Sequence, residues 1–239
     1  MIDLHFVPTP NGHKISIMLL ETGLEHRVIQ YRLLEGDHLT PEFREISPNS
    51  RAPAIVDHDP IGGGEPYPVF ETGAILIYLA DKTGRFLPAD PRGRHLAIQW
   101  LMWQMAGLGP MHGQAHHFVR YCPEPVDYAL NRYLSEARRL LSVMDRRLGE
   151  ADYLAGEYSI ADIACWSWIR AARAIDIDIA EYPHLKAWFE RVGERPAVRE
   201  GAAVPVDNHQ VQTGSRKMNL TAEQWSNMFG VNMLQAIRR

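Results

Sequence analysis

The hydrophobic periodicity of this chain changes character once, at Phe86-Leu87-Pro88-Ala89-Asp90-Pro91. Before that Pro-rich segment, short alternating runs are interleaved with helical ones. After it, nearly every apolar run recurs at the three-and-four spacing of a helix face. Such a pattern confines the chain to an α/β unit followed by an all-helical one, with the boundary in the prolines. The first unit takes residues 1–87, the second 88–201, and a C-terminal tail with a short helix takes 202–239.

Within the first unit, strands are expected at 2–6, 27–32, 53–57 and 67–70, the first of them an alternating, half-buried strand. Helices are expected over 11–23 and 71–82, with a short segment at 41–46. The loop 57–68 carries Pro60 and Gly62-Gly63-Gly64, enough punctuation to join the last two strands as a broad hairpin. Strand, helix, three strands, helix is the order of a thioredoxin-like unit.

Beyond Pro91 the spacing predicts helices over 91–118 and 126–149. Gly107, Gly109, Pro110 and Gly113 bend the first of these. A third helix starts at Ser159-Ile160-Ala161-Asp162, where a Ser with an acid three residues on closes the first turn, and Ile163, Ala164, Trp166 and Trp168 make it the centre of a helical core. Pro183 opens a fourth helix to about residue 194, and Arg195-Pro196 ends the pattern. The tail is irregular until Thr221-Ala222-Glu223-Gln224, a second capping-box pattern, starts one short helix with Trp225, Phe229 and Leu234.

Charge excludes some functions. Lys and Arg number 25 against 29 Asp and Glu, so no nucleic-acid partner is expected, and Arg138-Arg139 and Arg146-Arg147 suit a solvated helix face. No leader pattern or membrane-length apolar run is present, which points to the cytoplasm. The two cysteines, Cys122 and Cys165, are too few for a disulfide framework and are not spaced as a redox pair. Redox chemistry here would need sulfur from outside the chain. His112 and His116 have a usable metal-ligand spacing but no acid to complete it, so no metal is expected, and with His117 they are assigned to the groove between domains. Trp100, Trp103, Met102, Met105 and Met111 are assigned to packing.

Three stretches carry chemistry. Val7-Pro8-Thr9-Pro10-Asn11-Gly12-His13-Lys14 is a strand-to-helix turn with free N–H groups that favour an anion, and it holds no Cys, Ser or Tyr to serve as a nucleophile. Thr9 is also a cap and Asn11 a turn former. In Ser50-Arg51-Ala52-Pro53-Ala54-Ile55-Val56, Pro53 suits the mouth of a strand; with a cis Ala52-Pro53 bond, the Ala52 backbone would pair an extended peptide. In Phe70-Glu71-Thr72-Gly73, the Thr72 hydroxyl and helix N–H groups would take an α-carboxylate and Glu71 an α-ammonium.

Together these stretches resemble the glutathione site of cytosolic glutathione transferases, over about residues 1–200. "SPNSRAPAIVD" before "FETGAILIYLA", and "YSIADIACW", are similar to that superfamily's site and helical-domain cap. "PTPNGHK", "GGGEPYPVFETGAILIYLADKTG" and "QWLMWQMAGLGPMHGQAHHF" resemble the nu class, a bacterial group related to the nitrogen-regulator prion protein of fungi. The resemblance implies a thioredoxin-like domain plus a helical bundle, a homodimer, and glutathione, reduced or oxidised, as cosubstrate. It implies that Thr9 and Asn11 stand near the glutathione sulfur in place of the usual Tyr, Ser or Cys. Arg51 and Ala52 would flank the cysteinyl backbone, with Pro53 as the cis-proline. His38 replaces a glutamine that contacts the glycyl carboxylate, a weaker or pH-sensitive contact. Arg132 would reach in from the partner subunit.

The implied activity is thiol-disulfide exchange, which needs a hydrogen-bonded thiolate more than a general base. Two alternatives stand beside it: transfer, lyase or peroxidase chemistry with the same thiolate on electrophiles, thioethers or hydroperoxides in a cleft bordered by Phe118, Tyr121 and the Trp225 helix, or a non-catalytic regulator or scaffold, against which the intact site residues argue. The tail is expected to pack on its own subunit or its dimer mate.

Overall fold

The computed structural model describes residues 1–204 and 217–238. Strands β1 (Ile2–Phe6), β2 (His26–Gln30), β3 (Ala54–Asp57) and β4 (Tyr67–Phe70) form one mixed sheet in the order β2-β1-β3-β4. Helix α1 (Pro10–Thr22) carries the chain over from β1 to a parallel β2, and β3 and β4 join antiparallel. Helices α2 (Pro41–Ile46) and α3 (Thr72–Thr83) complete a thioredoxin-like unit.

β1 is buried at all five residues, where alternation predicts a half-buried strand. It is the inner strand between β2 and β3, so both of its edges are paired. Its polar residues are paired instead of solvated: Asp3 accepts from Arg27 at 2.7 Å and contacts His58 at 3.0 Å, and His5 Nδ1 meets the Tyr31 hydroxyl at 2.9 Å.

The run expected as one helix over 91–118 is α4 (Pro91–Trp103), a π turn over Gln104–Leu108, α5 (Gly109–His116) and a second π turn over His117–Tyr121. Pro110 has no N–H to give the preceding turn, and flanking glycines tolerate the distortion. Then follow α6 (Asp127–Leu148), α7 (Ile160–Ala171), α8 (Pro183–Gly193) and α9 (Pro196–Ala202). The break read at Arg195-Pro196 is real, but Pro196 also opens α9, because a first-turn proline loses no helical bond. The single tail helix is two, α10 (Ala222–Phe229) and α11 (Val231–Arg238), parted at Gly230. Most of the stretch expected to be irregular, 205–216, lies outside the described residues.

α7 is buried at every residue from Ile160 to Ile169, as expected of the centre of a core. α1 packs against α3, α7 and α9 and so joins the two units. Gly201 of α9 lies so close to α1 that an added Cβ would stand 2.7 Å from the Ile17 backbone. Ser16 donates to the Gly201 carbonyl at 2.7 Å, and Arg195 pairs with Glu21 at 2.6 Å. The tail helices bridge the same units: Phe229 packs on His117 at 4.8 Å, Asn227 donates to the Leu34 carbonyl at 2.9 Å, and Arg44 hydrogen-bonds the Ala236 carbonyl.

Candidate functional site

Strand register gathers the site. Phe6 pairs with Gln30, His5 with Ala54, and Ala54 with Phe70. One end of the sheet therefore carries the turn after β1, the loop after β2, the residues before β3 and the first turn of α3. Those are the segments holding Thr9 and Asn11, His38, Arg51 to Pro53, and Glu71 with Thr72.

Thr9 caps α1, its hydroxyl accepting from the Gly12 N–H at 3.2 Å. Gly12 is required there, since a Cβ would fall 2.0 Å from the Val7 carbonyl oxygen. Asn11 Oδ1 accepts from the Trp168 indole N–H at 3.0 Å. An indole only donates, so this bond decides which way the amide faces and leaves Nδ2 as a donor for the cleft. The Ala52-Pro53 bond is cis. Ser47 Oγ ties the loop before it, donating to the Arg51 carbonyl at 3.0 Å.

Glu71 stands at the N-cap of α3 with φ 67, the left-handed region that favours glycine, and its side chain makes no capping bond. A residue held there costs roughly 1–3 kcal/mol, and such strain gathers at binding sites. Its carboxylate is exposed and borders a cleft of about 310 Å³ between the sheet end and the α4–α5 run. Asn11, Lys14, Gln104, Met105 and Trp168 line the same cleft. Thr72 is buried at its edge, where its hydroxyl accepts from Lys14 Nζ at 3.1 Å.

Other expected residues lie elsewhere. His38 is only 2% exposed beneath α10, its ring hydrogen-bonded to the Asn227 backbone. Burial, and then the Arg51 charge, push it down to about 4, so the ring stays neutral across the range where the sequence suggested it would titrate. Arg132 is exposed on α6, 3.5 Å from Glu136, away from the cleft. His112 belongs to the core and not to the interdomain groove: it is 0% exposed, and its Nδ1 pairs with the Leu108 carbonyl at 2.9 Å. His116 packs edge-on to Trp168 and His117 on the tail. Phe118 stacks on Tyr133 and Tyr121 packs on Phe229, so both are engaged in packing.

Four residues of the cleft escape sequence reasoning: Lys14, Gln104, Gln114 and Trp168. Met105, assigned to packing, is also in its wall. Lys14 carried a signal, because a lysine three and four residues before Ile17 and Met18 falls on a buried stripe. Neither cysteine lines the cleft; Cys165 is fully buried, and burial pushes its thiol up.

Residues 1–81 match the glutathione S-transferase N-terminal domain and residues 111–196 the glutathione S-transferase C-terminal domain. The disulfide-bond oxidoreductase YfcG of Escherichia coli is 54% identical over 198 residues, covering 82% of this chain and 92% of that protein. A second Escherichia coli disulfide-bond oxidoreductase, YghU, is 40% identical over 217 residues, covering 85% and 74%. A solved glutathione transferase from Burkholderia graminis, with two glutathione molecules bound per subunit, superimposes with a TM-score of 0.81 at 42% identity, covering 86% and 89%. One from Pseudomonas putida, with one glutathione disulfide per subunit, gives 0.80 at 40% identity, covering 86% and 92%.

Proposed function

The chain belongs to the glutathione S-transferase family, and on that premise we propose that it is a nu-class, cytoplasmic, homodimeric enzyme that reduces small disulfides with glutathione. The observation that carries this reading is the cleft itself: it offers an oriented amide donor and a helix N-terminus, and no protein thiol. The sulfur must come with the ligand.

A glutathione thiolate attacks one sulfur of the substrate disulfide, forming a mixed disulfide and expelling a thiolate, which takes a proton from water. A second glutathione thiolate then attacks the mixed disulfide at its glutathione sulfur, releasing glutathione disulfide and the second substrate thiol. A thiol with a pKa of about 8.5 is mostly protonated at neutral pH, and donors aimed at the sulfur favour the thiolate. Asn11 Nδ2, the Thr9 hydroxyl and the Asn11 backbone N–H are those donors, since Pro10 has no N–H and those of Gly12 and His13 bond to Thr9. Glu71 holds the α-ammonium; Thr72, whose hydroxyl accepts from Lys14 and donates to Met105 Sδ at 3.3 Å, turns its proton from that weak sulfur acceptor to take the α-carboxylate. Ala52, between Arg51 and Pro53, pairs with the cysteinyl backbone.

Arg132 of the partner subunit completes the pocket. Supporting this, Arg132 lies one turn from Tyr128, which is 85% exposed, on a helix face left open in the single chain. Tyr67, Phe70 and Met102 are further exposed apolar residues that a dimer would cover. Sedimentation at twice the chain mass is the expected result, and a monomer at assay concentration would remove Arg132 from the site.

The deciding assay is turnover of 2-hydroxyethyl disulfide by reduced glutathione, coupled to glutathione reductase and NADPH, beside conjugation of chlorodinitrobenzene by the same preparation. Strong exchange with feeble conjugation is expected. Glutathione binding without exchange would move the function to thioether or electrophile chemistry.

Two substitutions probe the pocket. Glu71→Ala removes a charge-assisted bond to the α-ammonium and is expected to weaken glutathione binding by at least roughly tenfold; wild-type affinity by calorimetry would refute the pocket assignment. Trp168→Phe keeps the ring and deletes the N–H that orients Asn11. Its kcat/KM should fall by roughly tenfold, the worth of one hydrogen bond, with thermal stability little changed. Unchanged kcat/KM would mean that the Asn11 amide needs no such support.

A further inference from the structure

Lys14 stands where a lysine is costly. It follows Asn11 by one turn of α1 and is 1% exposed. Its Nζ donates to Gln104 Oε1 at 2.7 Å and Thr72 Oγ1 at 3.1 Å, with Met105 Sδ at 3.5 Å, and all three partners are neutral. Among the described residues no carboxylate forms an ion pair with it. The titratable groups that bear on its charge are Cys165 on α7 and Glu71 at the start of α3; the π turn facing it contributes only Gln104 and Met105. Burial outweighs them and pulls the ammonium down to about 7.

A group short of a hydrogen bond lies beside it. Gln104 is 0% exposed, its oxygen is used by Lys14, and its Nε2 has no hydrogen-bond partner among the described residues. The space at that nitrogen is kept by a glycine: a Cβ on Gly109 would lie 2.7 Å from Gln104 Nε2 and 3.4 Å from Trp168 Nε1. Among the described residues, a buried donor without an acceptor and a buried, hydrogen-bonded cation without a paired carboxylate thus border the same cleft.

We propose that Lys14 and Gln104 form an anion-receiving wall whose countercharge arrives with the ligand, so that bound glutathione and a proton on Lys14 Nζ stabilise one another. This rests on the glutathione reading of the cleft and extends it. The negative charge is that of the α-carboxylate at Thr72, whose hydroxyl lies 3.1 Å from the same ammonium. The sign follows from linkage. The free protein releases the Lys14 proton near pH 7 and the anion opposes that release, so affinity is highest below pH 7 and declines above it, up to the midpoint of the complex.

The chain has four lysines, Lys14, Lys82, Lys186 and Lys217, so labelling their ε-carbons with 13C allows each to be followed by NMR as pH is raised. Oxidised glutathione is the probe, because it has no thiol to titrate. One resonance is expected to have a midpoint near pH 7 in the free protein and to move up by at least about one pH unit on saturation, which corresponds to tenfold tighter binding to the protonated form. That resonance should be missing in Lys14→Met. Should this variant fail to fold, Lys82→Arg, Lys186→Arg and Lys217→Arg assign it by elimination. A midpoint that stays put in a saturated complex, or four lysines that all titrate above about pH 10, would overturn the inference and leave the glutathione site intact. No binding of oxidised glutathione would overturn the site reading and the inference together.

Discussion

Asp162→Ala is expected to destabilise the protein by roughly 3–5 kcal/mol, because it strips three buried N–H donors of their acceptor at once. Asp162 Oδ1 accepts from the Leu154 N–H at 3.1 Å and the Trp188 indole at 2.9 Å, and Oδ2 from the Ser159 N–H at 3.0 Å. The residue is 0% exposed, so water cannot take over those bonds. Its partners belong to the loop before α7, to the cap of α7 and to α8, so one carboxylate ties the centre of the helical core together. Burial raises the carboxyl to about 6 against the pull of its donors, which leaves it ionised at neutral pH. An apparent melting temperature lowered by roughly 10 °C is the corresponding observation. A loss below about 1 kcal/mol would mean that the capping box is ornamental.

Asn11→Ala is expected to act on turnover and not on folding. Removing one preorganised donor from a developing or resident anion typically costs about 10²–10³ in kcat, and a fall in that range is the result to look for in the disulfide exchange assay. Glutathione affinity should change much less, because in the proposed pocket Glu71, Thr72 and the Ala52 backbone would hold the rest of the molecule. Asn11→Asp makes the sharper comparison: its carboxylate can still accept from Trp168 but sets a negative charge beside the sulfur. It should be slower than the alanine variant, with a pH–rate profile displaced upward as the thiol becomes harder to ionise. An alanine variant with wild-type kcat would take the sulfur away from Asn11.

Two of these predictions probe the same bond from opposite ends, and they show where sequence reasoning stopped. Thr9 and Asn11 stood out because a strand-to-helix turn is written in neighbouring residues. Glu71 and Thr72 stood out for the same reason, as did Ser159 and Asp162, whose capping box forms as read. Trp168 was legible as core but not as the group that orients Asn11, since the two are separated by 157 residues. Gln104 lies 90 residues from Lys14 and carried no signal of its own. His38 was read as open to ligand, and α10, from the far end of the chain, covers it.

Local chemistry determined the rest of what could be read directly. Periodicity separates an α/β unit from a helical one, and prolines and glycines mark the turns. Capping residues start helices within a single turn, and the lack of a suitable cysteine moves the sulfur to a ligand. Each of these depends on contacts within a few residues, where side-chain type and spacing are sufficient. The tertiary structure alone decided which way the Asn11 amide faces, whether His38 and Lys14 carry charge, and which residues close the cleft. Those properties depend on desolvation and on hydrogen-bond partners supplied across the boundary between the two units, and the order of residues along the chain does not encode them locally.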